Sequence, residues 1–446
     1  MTDAAMWWIR RDLRLHDQPA LNAAAAAGAV VPVFVLDEHL LGPSGIPRQA
    51  FLARALASLD QQLRRYGPGL VVRRGDPVEV IPTLAAEAQA SSVHVSADYG
   101  PYGQRRDHAV RAALGSIPLV ATGSPYAVSP GRVTTQAGQP FQVFTPFYRA
   151  WLQHGWRQPA ETDPAQVRWH GLATDPLPAA VDLALPEATE EAAHGAWAQF
   201  RADRLPDYPN DRNRPDLDGT SRLSVYLRWG LLHPRTLLAD LGPDDDVFRK
   251  ELAWREFYAA VLAHWPASAR SYFRSELQAF PYAQGTLLAE RLDAWKAGRT
   301  GYPIVDAAMR QLLDTGWMHN RLRMIVASFL VKDLQVEWRF GARHFMKQLI
   351  DGDLASNQHG WQWAAGTGTD ASPYFRIFNP TTQGKRFDPQ GEFVRSWVPE
   401  LAHLPGSAVH EPWRAEDGYR NGYPIQIVDH AEQRMVALEA YASLRH

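Results

Sequence analysis

The chain has 446 residues, of which 46% are hydrophobic and 21% charged, with a net charge of −2. This length points to roughly two or three domains, and the near-neutral balance excludes a global basic field, so any nucleic acid must be held by a local patch. The absence of cysteine excludes disulfides, thiolate metal sites, iron–sulfur clusters and cysteine nucleophiles, and a reduced, cytoplasmic location is expected.

In chain order, AMWWI (5–9), VVPVFVL (30–36), LVV (70–72), VHVS (93–96) and PLVA (118–121) read as buried strands. Helical segments such as RQAFLARALASLDQQLRRYG (48–67), ending at Gly67, lie between them. This alternation predicts an α/β domain over 1–125, a doubly wound, Rossmann-like parallel sheet. No G-x-G-x-x-G follows the first strand, so the usual dinucleotide fingerprint is absent. Neither a signal peptide nor a run approaching the ~18 apolar residues of a membrane span is found.

Residues 126–194 are rich in proline and alanine and read as a surface connection with a helix or two. From 195 to 446 strand signals nearly vanish, which predicts an all-α domain. YPIVDAAMRQLLDTGW (302–317) sets Val305, Ala308, Met309, Leu312 and Leu313 on one stripe, stopped at Gly316. NRLRMIVASFLVKDL (320–334) does the same with Leu322, Ile325, Val326, Phe329 and Leu330. The aromatic content is lopsided: of 16 tryptophans only Trp7 and Trp8 precede residue 150. Core packing accounts for most of them.

Three places carry something other than core. Asn320, Arg323, Met324 and Ala327 form a second stripe on 320–334, and Glu251, Trp254, Arg255 and Tyr258 share one on 248–265. Either alone reads equally as a solvated face; two in one domain point to a lined cavity. In YPNDRNRPDLDGTSRLSVYL (208–227), DGTSRLS offers donors at a helix start, with Thr220 or Ser221 as the expected N-cap. DGDLASNQHGWQW (351–363) crowds acids, amides and indoles together. Trp361 and Trp363, if helical, point ~200° apart and serve different surfaces.

WWIRRDLRLHDQPAL (7–21), DGTSRLS, ELAWREFY (251–258), GYPIVDAAMRQL with TGWMHNRLRM (301–324) and DGDLASNQHGWQWAAGTGTDASPYFRIFNP (351–380) together resemble the photolyase/cryptochrome family, most closely its class I cyclobutane pyrimidine dimer photolyases. The resemblance implies FAD, fully reduced when active, in the helical domain. Its contacts would be Tyr208, Thr220, Ser221, Leu223, Ser224, Arg255, Asn320, Arg323, Asp351, Asp353 and Asn357. It implies light-driven splitting of dimers flipped out of damaged DNA, double- or single-stranded. Glu251, Asn320 and Asn357 would be catalytic, and Trp254, Met324 and Trp363 would line the lesion pocket with Glu251 and Asn320. Arg212, Arg321 and Arg376 would meet phosphates, with Lys385 and Arg386 as plausible neighbours, and few such contacts imply a modest salt dependence.

The family refills an oxidised flavin through three tryptophans. Trp361 and Trp338 match the first two positions; the third falls on Gly285, and Tyr282, or an indole such as Trp265, is the substitute. The family also holds a second, antenna chromophore. Tyr102-Gly103 stands where folate binders carry Asn-Glu, so a deazaflavin or flavin is expected, with Asp37, Arg48 and Asp98 as pocket candidates. No metal and no membrane partner is expected, and a monomer is.

Three alternatives compete. A cryptochrome-type light receptor is disfavoured by Asn357, where many plant sensors carry aspartate, and by a chain ending at His446 without a long tail. A (6-4) photoproduct enzyme would carry two histidines near 319–324, where this chain has only His319. A nucleotide-sugar transferase would use Asp351-x-Asp353 as a metal site.

Overall fold

The computed structural model describes residues 4–371 and 376–444. Residues 372–375, part of the last family motif, lie outside the described residues. Packing divides the chain into two compact units, Met1–Leu205 with Ser221–Pro266 and Pro206–Thr220 with Ala267–His446. No helix among the described residues is long and apolar enough to cross a membrane.

The first unit is built on five parallel strands, β1 (Ala4–Ile9), β2 (Ala29–Leu36), β3 (Val71–Arg74), β4 (Ala90–Val95) and β5 (Leu119–Ala121), in the order β3-β2-β1-β4-β5. The crossovers carry α1 (Pro19–Ala27), α2 (Ile46–Leu63), α3 (Pro77–Glu87) and α4 (Pro101–Ala113). Strands covered on both faces need no polar alternation, which is why β1 is buried at every position and reads as a plain apolar run. Pro19, Pro77 and Pro101 each open a helix, where the missing N–H costs nothing. Helix α2 stops at Leu63 rather than at Gly67.

The connection is more structured than its composition suggests. It contains α5 (Phe144–His154) and leads into α6 (Glu190–Asp203). Between them it runs beside β2: Val30 N–H donates to Arg168 O at 2.7 Å, and His170 N–H to Val30 O at 2.9 Å. The unit also contains α7 (Ser224–Trp229), a short helix Pro234–Asp240 and α8 (Asp246–His264). Gly230 ends α7 at φ 69°, and a Cβ there would lie 2.0 Å from Arg11 O, so only glycine lets the two backbones approach this closely.

What ties the connection to α8 is the buried carboxylate of Glu256. It accepts from Val128 N–H at 3.0 Å, from Ala127 N–H at 2.5 Å and from the Trp151 indole at 2.7 Å. Burial pushes its pKa up, and these three donors pull against that shift.

The second unit is helical, with α9 (Gly285–Lys296), α10 (Pro303–Thr315), α11 (Asn320–Ser328), α12 (Trp338–Gln348), α13 (Leu354–Ala365) and α14 (His430–Ser443). Its core joins Trp295, Met309, Leu312, Leu322, Ile325, Trp338 and Trp361. Gly316 closes α10 in the left-handed conformation, as its position predicts. Leu313 departs from the predicted stripe and is 44% exposed.

The helix expected over 320–334 is not uniform. After Ser328 the chain makes a π turn, Phe329–Asp333, and Gln335 leaves it at φ 51°. The wider turn takes two charged residues inside: Lys332 Nζ donates to Arg376 O at 2.9 Å, and Asp333 bonds His430. Burial lowers the Lys332 pKa to about 8 and raises that of Asp333 to about 6.

Removing the Glu256 carboxylate strands three buried donors at once. Glu256→Ala is expected to cost roughly 2–4 kcal/mol, read as a lower urea midpoint, with Glu256→Gln milder. An unchanged midpoint for the alanine variant would show that the connection is not held by this group.

Candidate active site

Of the residues singled out in the sequence, Ser221, Leu223, Ser224, Glu251, Trp254 and Arg255 fall in the first unit with Asp37, Arg48 and Asp98. Tyr208, Arg212, Thr220, Tyr282, Asn320, Arg321, Arg323, Met324, Trp338, Asp351, Asp353, Asn357, Trp361, Trp363 and Arg376 fall in the second.

On α8 the four stripe residues Glu251, Trp254, Arg255 and Tyr258 are half-buried, while Leu252, Ala253, Glu256 and Phe257 between them are buried. Trp254 lies flat against Phe144 of α5, with ring centres 3.7 Å apart and planes 7° from parallel. Sequence reading left Phe144 in a connector. The signal was present: Phe144, Phe147, Tyr148 and Trp151 recur at helical spacing and are all buried. Arg255 is committed to the backbone, donating to Pro125 O at 2.9 Å and Leu227 O at 3.3 Å while stacking on Tyr126.

The N-cap expected at Thr220 or Ser221 is not there. Helix α7 begins at Ser224 with Leu223 at its cap and no side-chain cap bond. Arg222 occupies φ 51°, and Ser221 Oγ accepts from Leu223 N–H at 3.4 Å. A left-handed residue before the helix displaces its start by two or three positions.

In the second unit, Arg323 donates to Met318 O and to Asp351 Oδ2, both at 2.8 Å. The Asp351 side chain is only 2% exposed and is paired with this guanidinium. Asp353 caps α13, accepting from Ser356 N–H at 3.0 Å. Asn357 is buried; its amide donates to Ala342 O at 3.1 Å and to Gln358 Oε1 at 2.9 Å, which leaves the oxygen to meet a ligand. Asn320 is exposed, and Arg323 and Met324 are half-buried beside it. Ala327, the fourth member of that stripe, is buried.

Cations gather on the same unit. Arg321 donates twice to Asn213 Oδ1, at 3.1 and 2.7 Å, and lies over the Phe387 ring, which Arg386 also covers. Arg212 stands over Tyr208. Lys385 pairs with Glu411, and Arg376 is exposed over Phe378.

Trp361 and Trp363 part company. Trp361 is 3% exposed, edge-on to Trp295 at 5.9 Å and Phe345 at 5.0 Å, whereas Trp363 is half-buried. The Trp361 ring sits over Gly341 of α12, one turn from Trp338.

Comparison with known proteins resolves what these features belong to. The FAD-binding domain of DNA photolyase, as a family, matches residues 248–443, and the DNA photolyase domain matches residues 5–166. A deoxyribodipyrimidine photo-lyase of Streptomyces griseus is 44% identical over 444 residues, covering 95% of this chain and 96% of that protein. The chain belongs to the DNA photolyase family. A class III photolyase from Agrobacterium tumefaciens superposes with a TM-score of 0.92 at 36% identity, covering 100% of this chain and 98% of that one. An archaeal photolyase from Sulfolobus tokodaii, solved with two FAD molecules, superposes with a TM-score of 0.86 at 29% identity, covering 99% of this chain and 100% of that one.

The photolyase cofactor is FAD, and the second unit suits it. Asp351 Oδ1 is buried with no hydrogen-bond partner among the described residues, an acceptor waiting for a ligand N–H or O–H. The Asn357 oxygen offers a second acceptor.

Trp361 depends on the missing side chain opposite it. A Cβ at Gly341 would lie 2.1 Å from Trp361 Cη2. Gly341→Ala is therefore expected to cost about 1–3 kcal/mol by overpacking and to change the near-ultraviolet circular dichroism. A variant with wild-type stability and spectrum would mean that Trp361 is not held in this position.

Proposed function

We propose that this photolyase repairs DNA by light, splitting cyclobutane pyrimidine dimers by electron transfer from reduced FAD. The observation that carries this reading is a carboxylate and a backed indole on one half-buried helix face, Glu251 and Trp254, within a chain whose relatives are photo-lyases. FAD, when bound and fully reduced, supplies the photoexcited electron. The protein supplies positioning and electrostatics.

Glu251 hydrogen-bonds the polar edge of the flipped dimer, and Trp254 offers it a flat apolar wall made rigid by Phe144 on its other side. A base stacked on such a ring gains ~1–3 kcal/mol. The second unit, taken by itself, offers Trp363, Asn320 and Met324 to a base and Arg212, Arg321 and Arg376 to phosphates. On the cofactor, Arg323 positions Asp351 as an acceptor, and Asn357 presents its oxygen to the flavin ring. Tyr208, Thr220 and Asp353 of the same unit serve its polar parts. Within the first unit, Ser221, Leu223 and Ser224 lead into a helix whose Leu227 is fixed by Arg255. Trp361 and Trp338 carry electrons inward to refill an oxidised cofactor.

A second chromophore of flavin or deazaflavin type fits the C-terminal edge of the sheet, where doubly wound folds bind ligands. Asp37 follows β2 and bonds Tyr102. Asp98 follows β4 and contacts Arg106 at 3.3 Å. Burial opposes its ionisation, but Arg106, Arg10 and Arg11 outweigh it and hold its pKa low. Arg10 and Arg106 flank the Trp8 ring, and Arg48 is buried on α2.

The purified protein is expected to be coloured, to release FAD and no pterin on denaturation, and to reverse thymine dimers under blue light but not in darkness. Glu251→Ala should lose most of the repair while keeping its FAD. A colourless protein, or dark-equal repair, would refute the enzyme reading, whereas loss of FAD in the variant would move Glu251 into the cofactor site.

A further inference from the structure

Where the photolyase relay has its third tryptophan, this chain offers Gly285, the first residue of α9. Trp338 still has a neighbour that can lose an electron. Tyr272 meets it edge to face, with ring centres 6.0 Å apart. The Tyr272 hydroxyl donates to Glu337 Oε1 at 3.1 Å, and the Tyr282 hydroxyl interacts with that of Tyr272. Arg339 binds the same carboxylate oxygen at 2.6 Å and lies 5.6 Å from the Tyr272 ring.

We propose that Tyr272 is the exit of the electron relay and that Glu337 takes its proton. This rests on the reading that Trp361 and Trp338 refill the cofactor. Trp338 is fully buried and its indole N–H has no acceptor among the described residues. Once oxidised it cannot shed a proton, so it stays a radical cation and a strong oxidant. It takes one electron from Tyr272. The O–H bond of Tyr272 breaks, its proton passes to Glu337 Oε1, and a neutral tyrosyl radical remains while Trp338 returns to its closed-shell state. Loss of the proton is required: a cationic ring beside the Arg339 guanidinium would be repelled, and an oxidised phenol is a strong acid. A soluble thiolate then returns the electron, and Glu337 returns the proton. Tyr272 is half-buried and so within reach of a small reductant.

The placement of Tyr272 is built from the helix that carries Trp361. Gln358 donates to Ala269 O at 2.5 Å. Gln362 donates to Ser268 O and accepts from Phe273 N–H, both at 2.8 Å. These two amides of α13 clamp the segment on either side of Tyr272. Tyr282, behind it against Phe280 at 4.8 Å, hydrogen-bonds the radical site rather than carrying the electron.

The test uses the FAD-loaded protein in its oxidised state, with transient absorption and electron paramagnetic resonance after a blue flash. A neutral tyrosyl signal is expected in the wild type, formed more slowly in D2O and in Glu337→Gln. It should be lost in Tyr272→Phe and kept in Tyr282→Phe. A long-lived tryptophan radical alone in the wild type, or a tyrosyl signal unchanged by Tyr272→Phe, would overturn the assignment. Trp338→Phe separates the two layers. If it abolishes photoreduction while Tyr272→Phe changes nothing, only the exit is wrong; if it too changes nothing, the relay reading fails and the exit with it. Wild-type protein reduced chemically beforehand tests dimer repair independently of both.

Discussion

A single buried carboxylate ties the connection to α8. Glu256 has no cation as its main partner; it is sustained by two backbone N–H groups and an indole, all from the connection between the sheet and the helices. Its neighbour Arg255 takes backbone carbonyls at Pro125 and Leu227. Consecutive residues of α8 thus bind the same stretch of the connection, one through its carbonyls and one through its N–H groups. With the connection pinned, Phe144 is brought flat against Trp254.

The parallel sheet was legible because strands buried on both faces leave a simple trace, an apolar run between turn signals, and all five runs overlap strands. The two polar stripes were legible for a related reason: helical period exposes any polar face that a core does not consume. Periodicity says nothing about where a left-handed residue resets a helix start, so the expected N-cap lies two or three residues early, with Arg222 at φ 51° responsible. Nor does it say which buried acids hold a proline-rich segment in place, and the helix or two expected there had no bounds although the aromatics of α5 are regularly spaced.

The segment 351–363 shows the division of labour that crowding conceals. Asp351 answers an arginine, Asp353 a helix terminus, and Trp361 a glycine across the core. The amides Gln358 and Gln362 look like ligand-binding groups in sequence, yet both are spent on the backbone of residues 268–273. A side-chain amide can satisfy a peptide N–H and C=O at once, so it is suited to holding an irregular loop against a helix.

The π turn at Phe329–Asp333 bears on how such helices are read. A turn that spends an extra residue advances the backbone without keeping the angular count of 3.6 residues per turn. Positions phased from Asn320 therefore lose their bearing before Trp338 is reached, and the two helices keep separate clocks. The residues of α11 and of α12, joined by one short stretch of chain, can thus vary in register independently.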